Sequence, residues 1–274
     1  GIAARDVQIE QVRRGGKALG ASAFKGRPAA NGVLFSELKL NLKGLLITGS
    51  AGWDGSKGAS TSWYKGRLQG ADLATVLQAW NYEPSVSSKR FRVDANVSWP
   101  GSPPWISLAR MSGSLNGSIH NGSFTEVKGS GSNALRVFGL LNFSAIGRRL
   151  RLDFSDLFGK GLAFDRVKVL LEGTNGVYVT REPLAIKGPS IDLQMNGTLD
   201  MLRQQINAKL FVTLPVSNTV AMGALLVGAP IVAGAIFVVD KVADKMFGFG
   251  TSSLTRVQYQ VVGPMADPKI TFFK

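Results

Sequence analysis

The feature that most constrains this chain is a period-2 alternation of apolar and polar residues that recurs along its length. Successive side chains of an extended strand point to opposite faces, so Leu38, Leu40 and Leu42 share one face while Lys39, Asn41 and Lys43 share the other. Such a segment belongs in a sheet with one apolar and one wet face. The alternation begins at Val7 to Val12. It is longest where Phe91, Val93, Ala95, Val97 and Trp99 oppose Arg92, Asp94, Asn96 and Ser98, and Pro100-Gly101 then ends the ladder. Leu150, Leu152 and Phe154 alternate with Arg149, Arg151 and Asp153. Val167, Val169 and Leu171 lead into Gly173-Thr174-Asn175-Gly176, whose Asn-Gly suits a hairpin, and Val177 and Val179 begin the return. Further strands carry Ile191, Leu193 and Met195, then Ala208, Leu210, Val212 and Leu214, and finally Val257 to Val261 and Ile270 to Phe273.

The expected fold is therefore mainly β, an antiparallel meander, and the 33 glycines supply the tight turns it needs. Helical breaks are few. Ala71 to Trp80 places Leu73, Val76, Leu77 and Trp80 at helical spacing behind Asp72 as an N-terminal cap, and a second helix is expected at Ala134 to Ile146. Two successive segments are expected. Residues 1–133 hold the short helix near 71–80, and residues 134–274 hold an apolar helical insertion at about 216–248 before final strands at 253–274.

The insertion rests on hydropathy. No charged residue occurs from Leu210 to Val239, and Thr219 to Val239 approaches the roughly 20 apolar residues that span a bilayer as a helix. Pro230, with Gly223, Gly228 and Gly234, divides that stretch into two short helices bent at Gly228-Ala229-Pro230 as readily as it leaves one. Asp240, Lys241, Asp244 and Lys245 alternate with Val242, Ala243, Met246 and Phe247 in an interfacial pattern. A hairpin packed on the sheet and one in contact with a membrane both fit.

Catalytic chemistry finds no support. The chain has no cysteine, which removes thiolate metal sites and thiol nucleophiles. Its single histidine, His120, is read as a solvated residue on the polar side of a strand beside a turn, with no partner at metal spacing. Asp153, Asp156 and Asp165 suit turn and capping roles, with Arg149 or Arg151 as partners, and Gly159 and Gly161 lack the Gly-Lys-Ser/Thr ending of a phosphate loop. No catalytic residue, metal or cofactor is assigned. The formal charge of +14 favours anionic partners. Lys and Arg recur singly instead of clustering with stacking aromatics, so nucleic acid is not the expected partner. The densest basic group, Arg148, Arg149 and Arg151, has the guanidinium geometry that matches lipid phosphate.

Residues 140–165, LLNFSAIGRRLRLDFSDLFGKGLAFD, with Gly188-Pro189-Ser190 and Gly197-Thr198-Leu199-Asp200, resemble the C-terminal region of the AsmA-like family, YhdP branch. Trp63-Tyr64-Lys65-Gly66, Asp72-Leu73 and Val97-Ser98-Trp99-Pro100-Gly101 are similar to the preceding family region, so the resemblance covers most of the chain. Gly147, where proline is expected, and Leu162, where phenylalanine is commoner, depart from the pattern. The resemblance implies the far end of a very long periplasmic protein of the cell envelope, anchored elsewhere in the inner membrane. It also implies an elongated, curled antiparallel sheet whose apolar groove carries phospholipid toward the outer membrane.

On that implication, Phe91, Val93, Val97, Trp99, Leu152, Phe154, Val167, Val169, Leu171, Ile191, Leu193, Met195, Leu210 and Val212 are the expected groove residues. Leu225, Leu226, Val227, Ile231, Val232, Ile236, Phe237 and Val238 are expected to touch the inner leaflet of the outer membrane, and Arg148, Arg149 and Arg151 to meet head groups. The expected partners are phospholipids and the rest of the same polypeptide. The alternative is a non-transporting docking domain that binds a protein partner through its apolar segment.

Overall fold

The computed structural model describes residues 5–14, 17–56, 58, 60–80, 82, 84–124, 162–189, 191–215 and 254–272. Over these residues thirteen strands form one antiparallel sheet whose spatial order is the chain order. They are β1 (Arg5–Arg14), β2 (Lys17–Ala29), β3 (Gly32–Leu42), β4 (Leu45–Asp54), β5 (Thr61–Gly70), β6 (Val86–Pro100), β7 (Ser112–Phe124), β8 (Leu162–Thr174), β9 (Val177–Lys187), β10 (Asp192–Asp200), β11 (Gln205–Pro215), β12 (Leu254–Pro264) and β13 (Lys269–Phe272). A helix, α1 (Leu73–Ala79), and a 3-10 turn at Pro103–Trp105 complete the described elements.

Each strand pairs with its sequence neighbours, and β1 does not pair with β13. The sheet is thus open. Strands pack chiefly on the strands beside them in sequence, so the curled sheet that the family resemblance implies is corrected to an open one that is not strongly curled. The expected helical hairpin, with Leu225, Leu226, Val227, Ile231, Val232, Ile236, Phe237 and Val238, lies outside the described residues. So do the expected helix at 134–146 and the strand bearing Leu152 and Phe154.

Because the meander is strictly antiparallel, its connections fall into two sets at opposite ends of the sheet. At one end lie short turns, including Asn175-Gly176 with φ of 49° and 81°, the two positive values that a tight hairpin of this type requires. The Gly176 position is fully committed: a Cβ there would lie 2.2 Å from the Ala109 carbonyl oxygen, and its N–H donates to Met111 O at 3.0 Å. The other end carries the β5–β6 connection with α1. There too Phe124 pairs with Leu162 and Pro215 with Leu254, so the chain leaves and re-enters the sheet at that end across residues 125–161 and 216–253.

Two departures from strict alternation shape the faces. In β3, Glu37 adopts φ 53° and the register slips between Phe35 and Leu38, so Phe35 pairs with Ala51 and Leu38 with Gly49 on the same face. The second is a crease across β6, β7 and β8. Burial switches parity from Val86 and Ser88 to Phe91 in β6, and from Leu162 and Phe164 to Val167 in β8, while Asn121 of β7 takes φ 49°. His120 therefore stands within β7, which continues to Phe124, and not beside a turn as the Asn121-Gly122 pair suggests.

The helix is held by its cap and by packing. Leu73, Val76 and Leu77 are buried in one cluster with Val86 and Phe91. Asp72 Oδ1 accepts from the N–H groups of Ala74 and Ser88, both at 3.1 Å, and Oδ2 accepts from Thr75 Oγ1 at 2.8 Å. Burial works against the charged form, but the bonds from Thr75, Ser88 and Ala74 outweigh it and hold the carboxyl below the usual aspartate value. A lowered folded-state pKa stabilises above the unfolded value and is lost as pH falls through the folded one. Asp72→Ala is thus expected to cost about 1 kcal/mol at neutral pH. In urea unfolding followed by circular dichroism, the gap between wild type and variant should shrink as the pH drops below about 4.

Candidate lipid-contacting face

Strand pairing arranges the inner-face side chains in rows that cross the strands. In one row Phe91 stands opposite Ile119, Ile119 opposite Val167, Val167 opposite Ile186, Ile186 opposite Leu193 and Leu193 opposite Val212. A second row runs Ile47, Leu68, Val93, Gly117 and Val169 from β4 to β8. A third places Met195 between Leu184 and Leu210, with Tyr259 beyond. None of these rows contains a charged residue. Two hydroxyls that share the face are spent on protein acceptors: Ser62 Oγ donates to Gly101 O at 2.8 Å and Thr180 Oγ1 to Asn196 Oδ1 at 2.6 Å. Burial pushes the Tyr178 and Tyr259 phenols up to about 12, and burial with the nearby Asp94 charge does the same for Tyr64, so all three are neutral at physiological pH.

The opposite face is wet and ion-paired. Asp94 receives Arg67 at 2.7 Å and Arg92 at 2.6 Å, Arg181 pairs with Glu172, and Lys25 meets Glu37 at 2.8 Å.

Coverage of the apolar face changes along the sheet. Across β8 to β12 it is closed: Leu210, Val212 and Val261 are 0% exposed. Across β4 and β5, Ile47, Ala51, Tyr64 and Leu68 are either half-buried or rest on small neighbours, with Gly49 opposite Gly66 and Gly66 opposite Ala95. Aromatic rings fill several glycine positions. A Cβ at Gly173 would lie 2.5 Å from the Tyr178 ring, one at Gly70 would lie 2.6 Å from Phe91, and one at Gly66 would lie 2.7 Å from the Tyr64 hydroxyl, which donates to Thr48 O at 2.9 Å. Ring-over-glycine contacts of this kind compensate strand glycines for the side chain they lack.

Among the expected groove residues, Phe91, Val93, Val97 and Trp99 of β6, Val167, Val169 and Leu171 of β8, Leu193 and Met195 of β10, and Leu210 and Val212 of β11 lie on this one face. Ile191, just before β10, is buried in the same cluster. Leu152, Phe154, Arg148, Arg149 and Arg151 lie outside the described residues. Sequence reasoning missed Ile47, Leu68, Ile119, Leu184 and Ile186. The last two follow Arg181-Glu182-Pro183, and a register slip in the β8–β9 pairing masks their alternation. Ile119 is separated from Leu115 by Asn116, Gly117 and Ser118, too little apolar content to mark a strand.

Together these features define an open β-sheet protein with charge-free rows on one face and ion pairs on the other. Among the described residues no group of histidine, aspartate and glutamate forms a metal site, and no helix is long and apolar enough to cross a membrane. The family model of the YhdP protein matches residues 2–270, and the chain belongs to that family. It is 28% identical over 224 residues to the intermembrane phospholipid transporter YhdP of Escherichia coli (strain K12), a match covering 82% of this chain and 17% of that protein. No solved structure matches the chain significantly.

The burial gradient has a measurable consequence. Leu210→Ala, at a closed position, is expected to destabilise by about 2–5 kcal/mol. Leu68→Ala, on the half-buried part of the same face, should cost less than half as much, and equal costs in denaturant unfolding would contradict the gradient.

Proposed function

We propose that this chain is a segment of a periplasmic bridge between the inner and outer membranes, and that it holds phospholipid acyl chains on its apolar face. The observation that carries the reading is the set of charge-free rows running across the strands, joined to membership of a family whose relative is an intermembrane phospholipid transporter. Rows that run perpendicular to the strands offer a path along the long axis of the sheet, where thirteen strands at about 4.8 Å spacing extend roughly 58 Å. Burying a methylene is worth about 0.8 kcal/mol wherever on the face it lies. An acyl chain is therefore held firmly but without a preferred position, and it slides.

The half-buried portion over β3 to β5 is the lipid-bearing part in this reading. The closed portion, with Val167, Leu171, Leu193, Met195, Leu210 and Val212, forms the distal end of the same face. The open edge of β1 offers its backbone to the remainder of the long polypeptide. Arg148, Arg149 and Arg151 are proposed to meet head groups. Leu225, Leu226, Val227, Ile231, Val232, Ile236, Phe237 and Val238 are proposed to meet the inner leaflet of the outer membrane. The pairs Phe124–Leu162 and Pro215–Leu254 lie at the same end of the sheet, which is compatible with these assignments.

The test is lipid content. Phospholipid should co-purify with the chain and be seen by native mass spectrometry. Ile47→Ser combined with Leu68→Ser should lower it by at least about half, since each change removes apolar contact from the half-buried part of the face, while the β-sheet circular dichroism is kept. A photo-crosslinker at Leu68 should capture lipid and one at Arg67, on the opposite face, should not. A lipid-free wild-type chain, or equal capture from both faces, overturns the reading.

A further inference from the structure

The wet face carries a feature that lipid tails do not explain. At the crease, two consecutive side chains of a strand turn outward together: Lys89 with Arg90 in β6 and Asp165 with Arg166 in β8 are all exposed. Pairing then sets Arg90 directly opposite His120, His120 opposite Arg166, and Arg166 opposite Lys187. Like charges directly across a sheet are destabilising, so four neighbouring strands line up basic groups where a neutral row would be more stable. Lys168 joins them from the next row, opposite Ser118.

His120, Arg166, Lys168 and Lys187 of this group line a depression of about 440 Å³ together with Asn121, Asp165 and Ala185, and Arg90 stands beside it, opposite His120. Arg92, one row away, already has its carboxylate in Asp94. Arg90, Arg166 and Lys168 have no ion pair or side-chain hydrogen bond to another described residue. The acidic groups at this hollow are Asp165 on the rim and Asp192, which stands opposite Lys187 and whose carboxyl is pushed up by burial; on its far side Lys168 borders a second hollow with Asp94 and Glu182. Guanidinium and ammonium groups converging on one hollow, with an imidazole between them, are the donors that phosphate oxygens accept from.

We propose that this outer-face hollow, lined by His120, Arg166 and Lys168 and flanked by Arg90, is a binding site for a phosphate-bearing anion, either free or displayed as a lipid head group. It lies on the face opposite the apolar rows and is independent of the lipid-path reading, so either can fail without the other. In the unliganded protein, burial and the charges of Arg90, Arg166 and Lys168 hold His120 below its usual value. A phosphate dianion among the same cations reverses that field and favours the imidazolium.

Because His120 is the chain's single histidine, its ring resonances report on the site without assignment. NMR titration of the full chain in inorganic phosphate should give a midpoint about one unit higher than in chloride at equal ionic strength. R166Q should raise the midpoint in chloride, by removing a repelling cation, and abolish the phosphate increment, while R166K keeps most of it. Vesicles of phosphatidylglycerol, compared with phosphatidylcholine, form the second arm. A shift with free phosphate supports a general phosphate site, and a shift with phosphatidylglycerol vesicles alone supports a head-group site. An unmoved midpoint in both arms overturns the proposal.

Discussion

The whole structure depends on an unbroken backbone ladder between strands that are neighbours in sequence. In a meander of this kind the hydrogen-bonding needs of each inner strand are met by the strands immediately before and after it, and an unpaired buried peptide group would cost as much as a lost hydrogen bond. No second layer is needed to complete the pairing. What the ladder leaves unsolved is the apolar face, because a sheet with one hydrophobic side must bury it against something. Closure into a barrel would do so, but β1 and β13 stay apart.

The face is resolved in two ways along its length. Over β8 to β12 it is closed to solvent, and α1 contributes Leu73, Val76 and Leu77 to the same cluster near β6. Over β3 to β5 the rows are only half-buried and are lined by glycine and alanine as much as by leucine. Small residues there keep the floor of the face low, and rings such as Tyr64 lie flat over it instead of standing above it. A face of that shape loses little by staying partly uncovered, and it gains most from an apolar guest with no fixed outline.

Legibility in the sequence followed how each strand keeps its two faces apart. β3, β6, β8, β10 and β11 announce themselves because leucine, valine and phenylalanine alternate with charge, and the Asn175-Gly176 turn was visible from the same text. β2, β4, β5 and β7 were not legible. Their inner faces are built from Gly49, Gly66, Gly113, Gly117 and similar small residues, whose contribution comes from the neighbour that lies over them and not from their own hydrophobicity. Such strands exist by being paired on both sides, and that information sits in other segments. The openness of the sheet was equally hidden, because alternation prescribes faces and says nothing of whether the two edges meet. Of the candidate face, the alternation within β6 and β8 was legible, while Leu184 and Ile186 were lost behind a register slip that no local pattern encodes.

The crease shows why those irregularities are part of the design of the face. Strict alternation carried back from Phe91 would place Lys89 on the inner side, and carried on from Phe164 it would place Arg166 there. Either charge would sit in an apolar row with no partner, and burying an unpaired charge costs far more than a local kink. The parity change at Lys89–Arg90, with the positive φ of Asn121 between its neighbours, turns both cations outward and keeps the inner rows charge-free. The same step concentrates Arg90, His120 and Arg166 on the wet side. The positive φ of Asn121 in β7 and the parity changes beside it in β6 and β8 thus preserve the continuity of the apolar rows and set the basic hollow behind them, so the chemistry of the two faces is linked at one level of the sheet.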